Sequence, residues 1–163
     1  MPAPPTAAER ARERALRLLS RREYSRAELR QRLRRPTRDD EALDAEALEA
    51  LLDALTQEGW LSETRFAEAT VAARTRQGDG PLRLRARLAG RGVAPELIDT
   101  ALAAVADWQD LLERARRRRF GDQAPEDYAQ WAQQARYLQR RGFSEAQIRA
   151  ALPQPGRGGH DNH

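Results

Sequence analysis

The sequence contains no cysteine and no lysine, only two histidines, and few aromatic residues, which make up 6% of the chain. Without cysteine there can be no disulfide, no thiol catalysis and no cysteine-ligated metal. No apolar run approaches the roughly 20 residues that span a membrane, and no signal-peptide core follows Met1. These absences predict a soluble cytoplasmic protein without a membrane partner, whose core consists mainly of leucine and alanine.

All 29 basic residues are arginine, and their placement is more informative than the net charge of +4. Codon bias in a GC-rich genome is one explanation for the missing lysines. Arginines outnumber acids eleven to four in residues 1–35, seven to two in 65–92 and nine to four in 114–149. Acids outnumber arginines nine to one in residues 38–63 and five to none in 93–113. This alternation predicts basic helices gathered on one side of a folded array.

Start and stop signals divide the chain into short helices, and no stretch has the alternating, β-branched pattern of a strand. The predicted starts are capping boxes, single N-cap residues and prolines at the first helical position. They occur at Ser25–Glu28, Ser62, Pro81, Pro95, Pro125 and Ser144–Gln147. Glycines in the left-handed conformation are predicted to close helices, at Gly59, Gly92 and Gly142.

An internal repeat organises these helices. A shift of 50 residues places Leu88, Arg91, Gly92, Ile98, Ala101 and Leu102 on Leu138, Arg141, Gly142, Ile148, Ala151 and Leu152. The repeat predicts an all-α protein, an elongated array of three tandem three-helix modules. We expect modules at 7–61, 62–106 and 107–152, with disordered ends at 1–6 and 153–163.

No enzyme site can be assembled from the residues. His160 and His163 lie in a glycine-rich tail, and the acidic stretch Asp39-Asp40-Glu41 lacks the spaced ligands and the glycine turn of a cation site. The stretch Gly78-Asp79-Gly80 lacks the strand and the Lys-Ser/Thr pair of a phosphate-binding loop. We therefore predict no catalytic residue, no metal and no cofactor.

Rows of arginine are the better candidates for function, since guanidinium groups bind carboxylates and phosphates in bidentate fashion. The alternative is a solvated helix face without a role. The candidates for binding a partner or DNA are Arg74, Arg76, Arg83, Arg87, Arg91, Arg136, Arg140 and Arg141.

A second set of residues is interpreted as structural: Phe66, Gly80, Pro81, Gly92, Gly142 and Phe143. Trp60, Trp108, Trp131 and Phe143 stand among apolar residues at helix starts or stops, which favours core anchors over platforms for stacked bases. The run Arg116 to Arg119 is predicted to point all round a helix, because four consecutive residues do so.

These motifs resemble the RecX regulatory family, which modulates the RecA recombinase. The resemblance is carried by Ala15–Leu29 (ALRLLSRREYSRAEL), Gly59–Ala67 (GWLSETRFA), Gly80–Leu84 (GPLRL) and Arg136–Ser144 (RYLQRRGFS), in family order. The first module departs from the family pattern at Pro36 and the acidic insertion after it. Ser62-Glu63 replaces the acidic pair that usually precedes Arg-Phe-Ala.

The resemblance implies a curved array that lies, as a monomer, in the groove of the RecA–single-stranded-DNA filament. There it would obstruct filament growth and strand exchange and lower the ATPase activity of the recombinase, in the setting of DNA repair and the SOS response. The partners would be the RecA filament and single-stranded DNA, contacted directly or through the filament. The alternatives are a stand-alone helical nucleic-acid-binding module, a scaffold that binds through apolar grooves, and, most remotely, a hydrolase or metal enzyme.

Overall fold

The computed structural model describes residues 1–38 and 41–156, and the regular elements in these two ranges are α-helices. In chain order they are α1 (Ala7–Arg21), α2 (Arg26–Arg34), α3 (Ala45–Gln57), α4 (Glu63–Arg76), α5 (Pro81–Gly90), α6 (Pro95–Ala103), α7 (Trp108–Phe120), α8 (Tyr128–Arg141) and α9 (Glu145–Ala151). The all-α prediction is confirmed. No described helix combines the length and the apolar character needed to cross a bilayer.

Local capping sets most of the helix starts. Both predicted capping boxes are present. The side chains of Ser25 and Ser144 accept the backbone N–H of the third helical residue, and the backbone N–H of each serine donates to the side chain of that residue, Glu28 or Gln147. A further box at Thr6 fixes the start of α1. The expectation that Pro125 begins a helix is wrong. Helix α8 begins at Tyr128, because the Asp127 carboxylate accepts the N–H of Gln130 at 2.8 Å.

The chain forms two compact units, and each is described by itself. The first unit comprises Met1–Ala69 and Leu88–Ile98. Its helices α1, α2 and α3 pack on one another. They enclose a core of Ala15, Tyr24, Leu29, Leu33, Leu48, Leu52, Leu55 and Leu61. This core is the predicted leucine-rich one, with Tyr24 as its single fully buried aromatic among the residues the structure describes.

Trp60 does not belong to this core, contrary to expectation. The Trp60 side chain is 53% exposed, whereas its neighbour Leu61 is buried. Gly59 takes the left-handed conformation (φ +84°), and the N–H groups of Trp60 and Leu61 both donate to the Leu55 carbonyl. This tight turn directs Leu61 inward, and the adjacent tryptophan therefore faces solvent.

The second unit comprises Thr70–Arg87 and Asp99–His163. Helices α7, α8 and α9 pack together. Their core contains Leu112, Ala115, Leu138, Phe143, Ile148 and Leu152, with Trp108 and Trp131 partly buried against it. The prediction of a core position is therefore confirmed for Phe143, and the two tryptophans line the edge of the same core.

Helices α4, α5 and α6 each contribute residues to both units. Most of their apolar positions are buried, as the periodicity predicts, whereas Leu82 of α5 is 54% exposed. The buried residues are Phe66, Ala67, Val71, Leu84, Leu88, Ile98, Ala101 and Leu102. The closing glycines Gly92 and Gly142 have φ of +80° and +98°, which confirms the left-handed conformation expected for them.

Candidate nucleic-acid interface

A buried aspartate lies at the centre of the candidate interface. Asp79 stands in the turn between α4 and α5, and its side chain is fully buried. Its backbone N–H donates to the Arg74 carbonyl at 3.0 Å, which folds the turn back onto the end of α4. A buried carboxylate requires compensating charge, because removing it from water is costly.

Three of the predicted arginines supply that charge. Arg74 Nε donates to Asp79 Oδ2 at 2.8 Å, and Arg141 Nη2 lies 3.1 Å from Asp79 Oδ1. Arg83 Nε is more distant, at 3.7 Å from Oδ1. Oδ1 accepts no hydrogen bond of good geometry from the described residues, so charge rather than hydrogen bonding holds it. We call these four residues the Asp79 cluster.

The backbone of this turn approaches the end of α8 very closely. Gly80 N–H donates to the Arg141 carbonyl at 2.7 Å, and Leu82 N–H donates to the Gly142 carbonyl at 2.9 Å. A β-carbon on Gly142 would lie 2.4 Å from the Arg83 β-carbon, and one on Gly80 would lie 2.5 Å from the Gly142 carbonyl carbon. Only glycine fits at either position.

Arg141 is bound into this junction by further contacts. Its Nε donates to the Gly78 carbonyl at 3.2 Å, and its Nη2 donates to the Gln77 carbonyl. The Arg141 side chain is accordingly only 24% exposed. Arg141 therefore has a structural role in this unit, and so does Arg74, which also donates to the Gln77 side chain.

The other candidates lie apart from the Asp79 cluster. The Arg76 carbonyl accepts a hydrogen bond from Arg118, and Arg76 itself is exposed near the end of α4. Arg87 is half-buried on α5. Arg91, just beyond α5, belongs to the first unit and forms an ion pair with Glu28.

Two candidates on α8 are fully available to a partner. Arg136 and Arg140 are exposed, stand one helical turn apart, and form no ion pair or hydrogen bond through their side chains with another described residue. Arg83 is intermediate: it is 41% exposed and donates no hydrogen bond within the part of the chain described. The structure therefore separates arginines that hold the fold from arginines that present free donors.

Within the run Arg116 to Arg119, Arg116 is the residue that points into the fold, in agreement with the prediction that the run points all round a helix. Its side chain is 4% exposed and donates to both carboxylate oxygens of Glu113, to the Gln123 carbonyl and to the Gln134 side chain. The hydrogen bond from Arg116 lowers the pKa of Glu113, and the same bond raises the pKa of Arg116. This buried pair is structural.

Sequence reasoning missed the role of Asp79. The signal available was that Asp79 is one of only two acids among seven arginines in residues 65–92. The described residues contain no group of three His, Cys, Asp or Glu side chains placed to hold a metal. His160, His163, Asp39 and Asp40, which were considered as ligands, lie outside the described residues.

The fold and the site together define a helical-repeat protein with an arginine-rich surface. Comparison with protein families identifies the repeats. Residues 11–43, 62–102 and 106–152 match, in order, the first, second and third three-helix domains of RecX.

Relatives of known name agree with this assignment. A protein of Halorhodospira halophila named Regulatory protein RecX is 44% identical over 146 residues, which cover 89% of this chain and 88% of that one. One of Xanthomonas axonopodis pv. citri with the same name is 45% identical over 140 residues, covering 85% and 83%. The chain belongs to the RecX family of regulatory proteins.

Two crystal structures share the fold. One of regulatory protein RecX has a TM-score of 0.71 at 20% identity, covering 89% of this chain and 71% of that one. The structure of RecX from Lactobacillus salivarius has a TM-score of 0.69 at 17% identity, covering 89% and 94%. Together with the three domain matches, this confirms the predicted fold of three tandem three-helix modules, and the module bounds given above stay a prediction.

Proposed function

We propose that this protein binds the RecA–single-stranded-DNA filament and restrains filament growth, ATPase activity and strand exchange, without catalysis of its own. Membership of a family of regulatory proteins, matched by all three of its domains in order, is the observation that carries the proposal. The exposed arginines supply the chemistry, because a nucleoprotein filament presents phosphates and carboxylates that guanidinium groups bind.

Within the second unit, the contact residues are the arginines with free donors. Arg136 and Arg140 face solvent without an intramolecular partner among the described residues, so binding a phosphate breaks no existing ion pair. The Asp79 cluster carries three positive charges against one negative, and Arg83 is the member with most exposed surface. Arg74 and Arg141 contribute mainly by holding Arg83 and the α8 terminus in place.

The first test is the single-stranded-DNA-dependent ATPase of the cognate recombinase. Addition of the purified protein should lower the steady-state rate, and prior assembly of the filament should reduce the effect if growth is the step obstructed. An ATPase rate that is unchanged at saturating protein would contradict the proposed function.

The second test locates the contact. The double variant Arg136→Ala/Arg140→Ala removes two exposed arginines four residues apart on α8. A matched control is Arg17→Ala/Arg21→Ala, which removes two exposed arginines at the same spacing on α1. Arg12 and Arg14 are unsuitable controls, because Arg12 pairs with Glu58 and Arg14 donates to the carbonyls of Arg32 and Arg35.

Binding to recombinase-coated and to bare single-stranded DNA is measured at two salt concentrations. Each lost phosphate contact should flatten the salt dependence by about 0.7 units of slope. Loss on coated DNA alone supports a filament regulator that contacts the assembled complex. Loss on both, with the parent binding coated and bare DNA equally tightly, supports the alternative, a stand-alone nucleic-acid-binding module. If the α8 variant behaves like the α1 control, the contact residues are assigned wrongly.

A further inference from the structure

A groove between α8 and α9 lies beside the exposed arginines of the second unit. Its volume is about 550 Å³, which is within the usual range for a small-ligand site. Tyr128, Trp131 and Ala135 of α8 and Ile148 of α9 form its apolar wall, and Arg136 lies at its rim. The groove therefore combines an apolar wall with charged lining residues, namely Arg136, Arg149 and Glu145.

The aromatic end of the groove is unusual in its exposure. Tyr128 is 59% exposed, although large hydrophobic side chains elsewhere in the described chain are mostly buried. Its ring centroid lies 5.6 Å from that of Trp131, with the planes tilted by 31°. Trp131 is held in place because its Nε1 donates to the Leu152 carbonyl at 2.9 Å. The fixed indole of Trp131 thus packs against the ring of Tyr128, which remains exposed to solvent.

The cationic side continues along the same helix. Tyr128, Ala132, Arg136 and Arg140 follow one another at four-residue intervals, which places them along one gently winding ridge of α8. Consecutive members are about 6 Å apart along the axis. An aromatic ring is therefore followed by a small residue and then by two cations in line.

We propose that this groove binds single-stranded nucleic acid directly, with one base against Tyr128 and Trp131 and the following phosphates on Arg136 and Arg140. Single-stranded nucleic acid is bound without sequence preference by this combination of aromatic rings and a cationic track. The line of two cations leading away from the rings is complementary to a continuous polyanion. Arg149, at the other rim, already forms an ion pair with Glu145, so the free positive charge lies on the α8 side.

This inference deepens the proposed function, because it assigns nucleic acid to the arginines proposed above and adds two aromatic residues to their site. It concerns bare single strands, so it is tested without recombinase. If the protein inhibits the recombinase ATPase but does not bind bare single strands through this groove, the proposed function stands and only the groove assignment is overturned.

The experiment uses the full chain and two probes, a fluorescently labelled oligothymidine and an abasic strand of the same length. In a Trp60→Phe/Trp108→Phe background Trp131 is the only tryptophan, and oligothymidine should quench its fluorescence. Tyr128→Ala should weaken oligothymidine binding about tenfold or more and change abasic-strand binding little. Arg136→Ala should weaken binding of both strands.

The controls separate stacking from general damage. Tyr128→Phe should retain binding, since it keeps the ring. Trp60→Ala removes a similarly exposed aromatic side chain from the first unit and should not change binding. Circular dichroism melts show whether each variant is folded. The proposal is overturned if the abasic strand binds as tightly as oligothymidine, or if Tyr128→Ala binds oligothymidine like the parent. It is also overturned if an acidic peptide with apolar residues quenches Trp131 and oligothymidine does not.

Discussion

Arginine is used differently in the two units. In the first unit, arginines pair with acids at the surface: Arg26 and Arg30 share Glu49, which remains 42% exposed. In the second unit, Arg74, Arg83 and Arg141 surround Asp79, which has no exposed surface. The same residue type thus forms solvated ion pairs in one unit and compensates a buried charge in the other.

This difference shows why charge counts along the sequence do not locate a binding surface. The first unit has the most basic stretch of the chain, yet acidic residues on α3 and just after it form ion pairs with part of that stretch, through Glu49, Asp53 and Glu58. The second unit concentrates three arginines on one aspartate and leaves Arg136 and Arg140 without partners among the described residues. Exposed arginines without an ion pair among the described residues remain in both units, Arg17 and Arg21 in the first and Arg136 and Arg140 in the second, so a binding measurement has to distinguish them.

The largest expected effect compares two glycines with the same backbone conformation. In the first unit, Gly59 has a φ of +84°, and a β-carbon there would meet open space. Gly59→Ala should therefore lower the free energy of unfolding by about 1 kcal/mol, the cost of the backbone conformation alone. In the second unit, Gly142 has a φ of +98°, and a β-carbon there would also clash with Arg83. Gly142→Ala should therefore lower the free energy of unfolding by about 3 kcal/mol or prevent folding. Urea unfolding of both variants measures the difference. Equal losses would contradict the close approach of α8 to the α4–α5 turn.

The second prediction compares Asp79 and Glu49, two acids that each pair with more than one arginine. Asp79→Asn removes the only negative charge in the Asp79 cluster and leaves the arginines to repel one another, which should destabilise the protein by about 3 kcal/mol. Glu49→Gln removes an exposed partner, and its effect should be far smaller. Thermal melts at low and high salt provide the measurement. A Glu49→Gln variant as unstable as Asp79→Asn would show that the buried location is irrelevant.

The third prediction concerns pH. Hydrogen bonds from Arg30 and Arg26 lower the pKa of Glu49 from 4.5 to about 2. Between these values the unfolded chain binds more protons than the folded one, so stability falls as the pH drops. The free energies of unfolding of the parent and of Glu49→Gln should therefore converge as the pH approaches 2. Denaturant titrations at several pH values between 5 and 2 check this, and a constant gap would contradict it.

The smallest effect is expected at Trp60. Since its side chain is 53% exposed, Trp60→Ala should change the free energy of unfolding by only about 0.5 kcal/mol. Phe143→Ala, at a fully buried aromatic position of the second unit, is the matched contrast and should lose about 3 kcal/mol or more. Chemical denaturation of the two variants tests the assignment. A large loss of stability in Trp60→Ala would show that the Trp60 side chain belongs to the core.

Much of the fold was accessible from the sequence because its signals are local. The capping boxes at Ser25 and Ser144 and the left-handed glycines Gly92 and Gly142 depend on side chains and backbone within a few residues. Leucine at helical spacing then determines which face of each helix is buried. Trp60 was misplaced because the sequence does not show which of the two adjacent apolar residues, Trp60 or Leu61, the turn directs inward.

The candidate site was less accessible because its contacts are distant in the sequence. Arg141 reaches the Gln77 and Gly78 carbonyls and Asp79 across more than sixty positions, and no spacing rule connects them. Which arginines have free donors follows from those contacts. The sequence alone determined the all-helical class, the threefold repeat and most helix ends, since these depend on local energetics, although Pro125 does not begin a helix. The burial of Asp79 and the division of arginines into structural and available ones were decided only by tertiary packing, which sets the distances between charges that are far apart in the sequence.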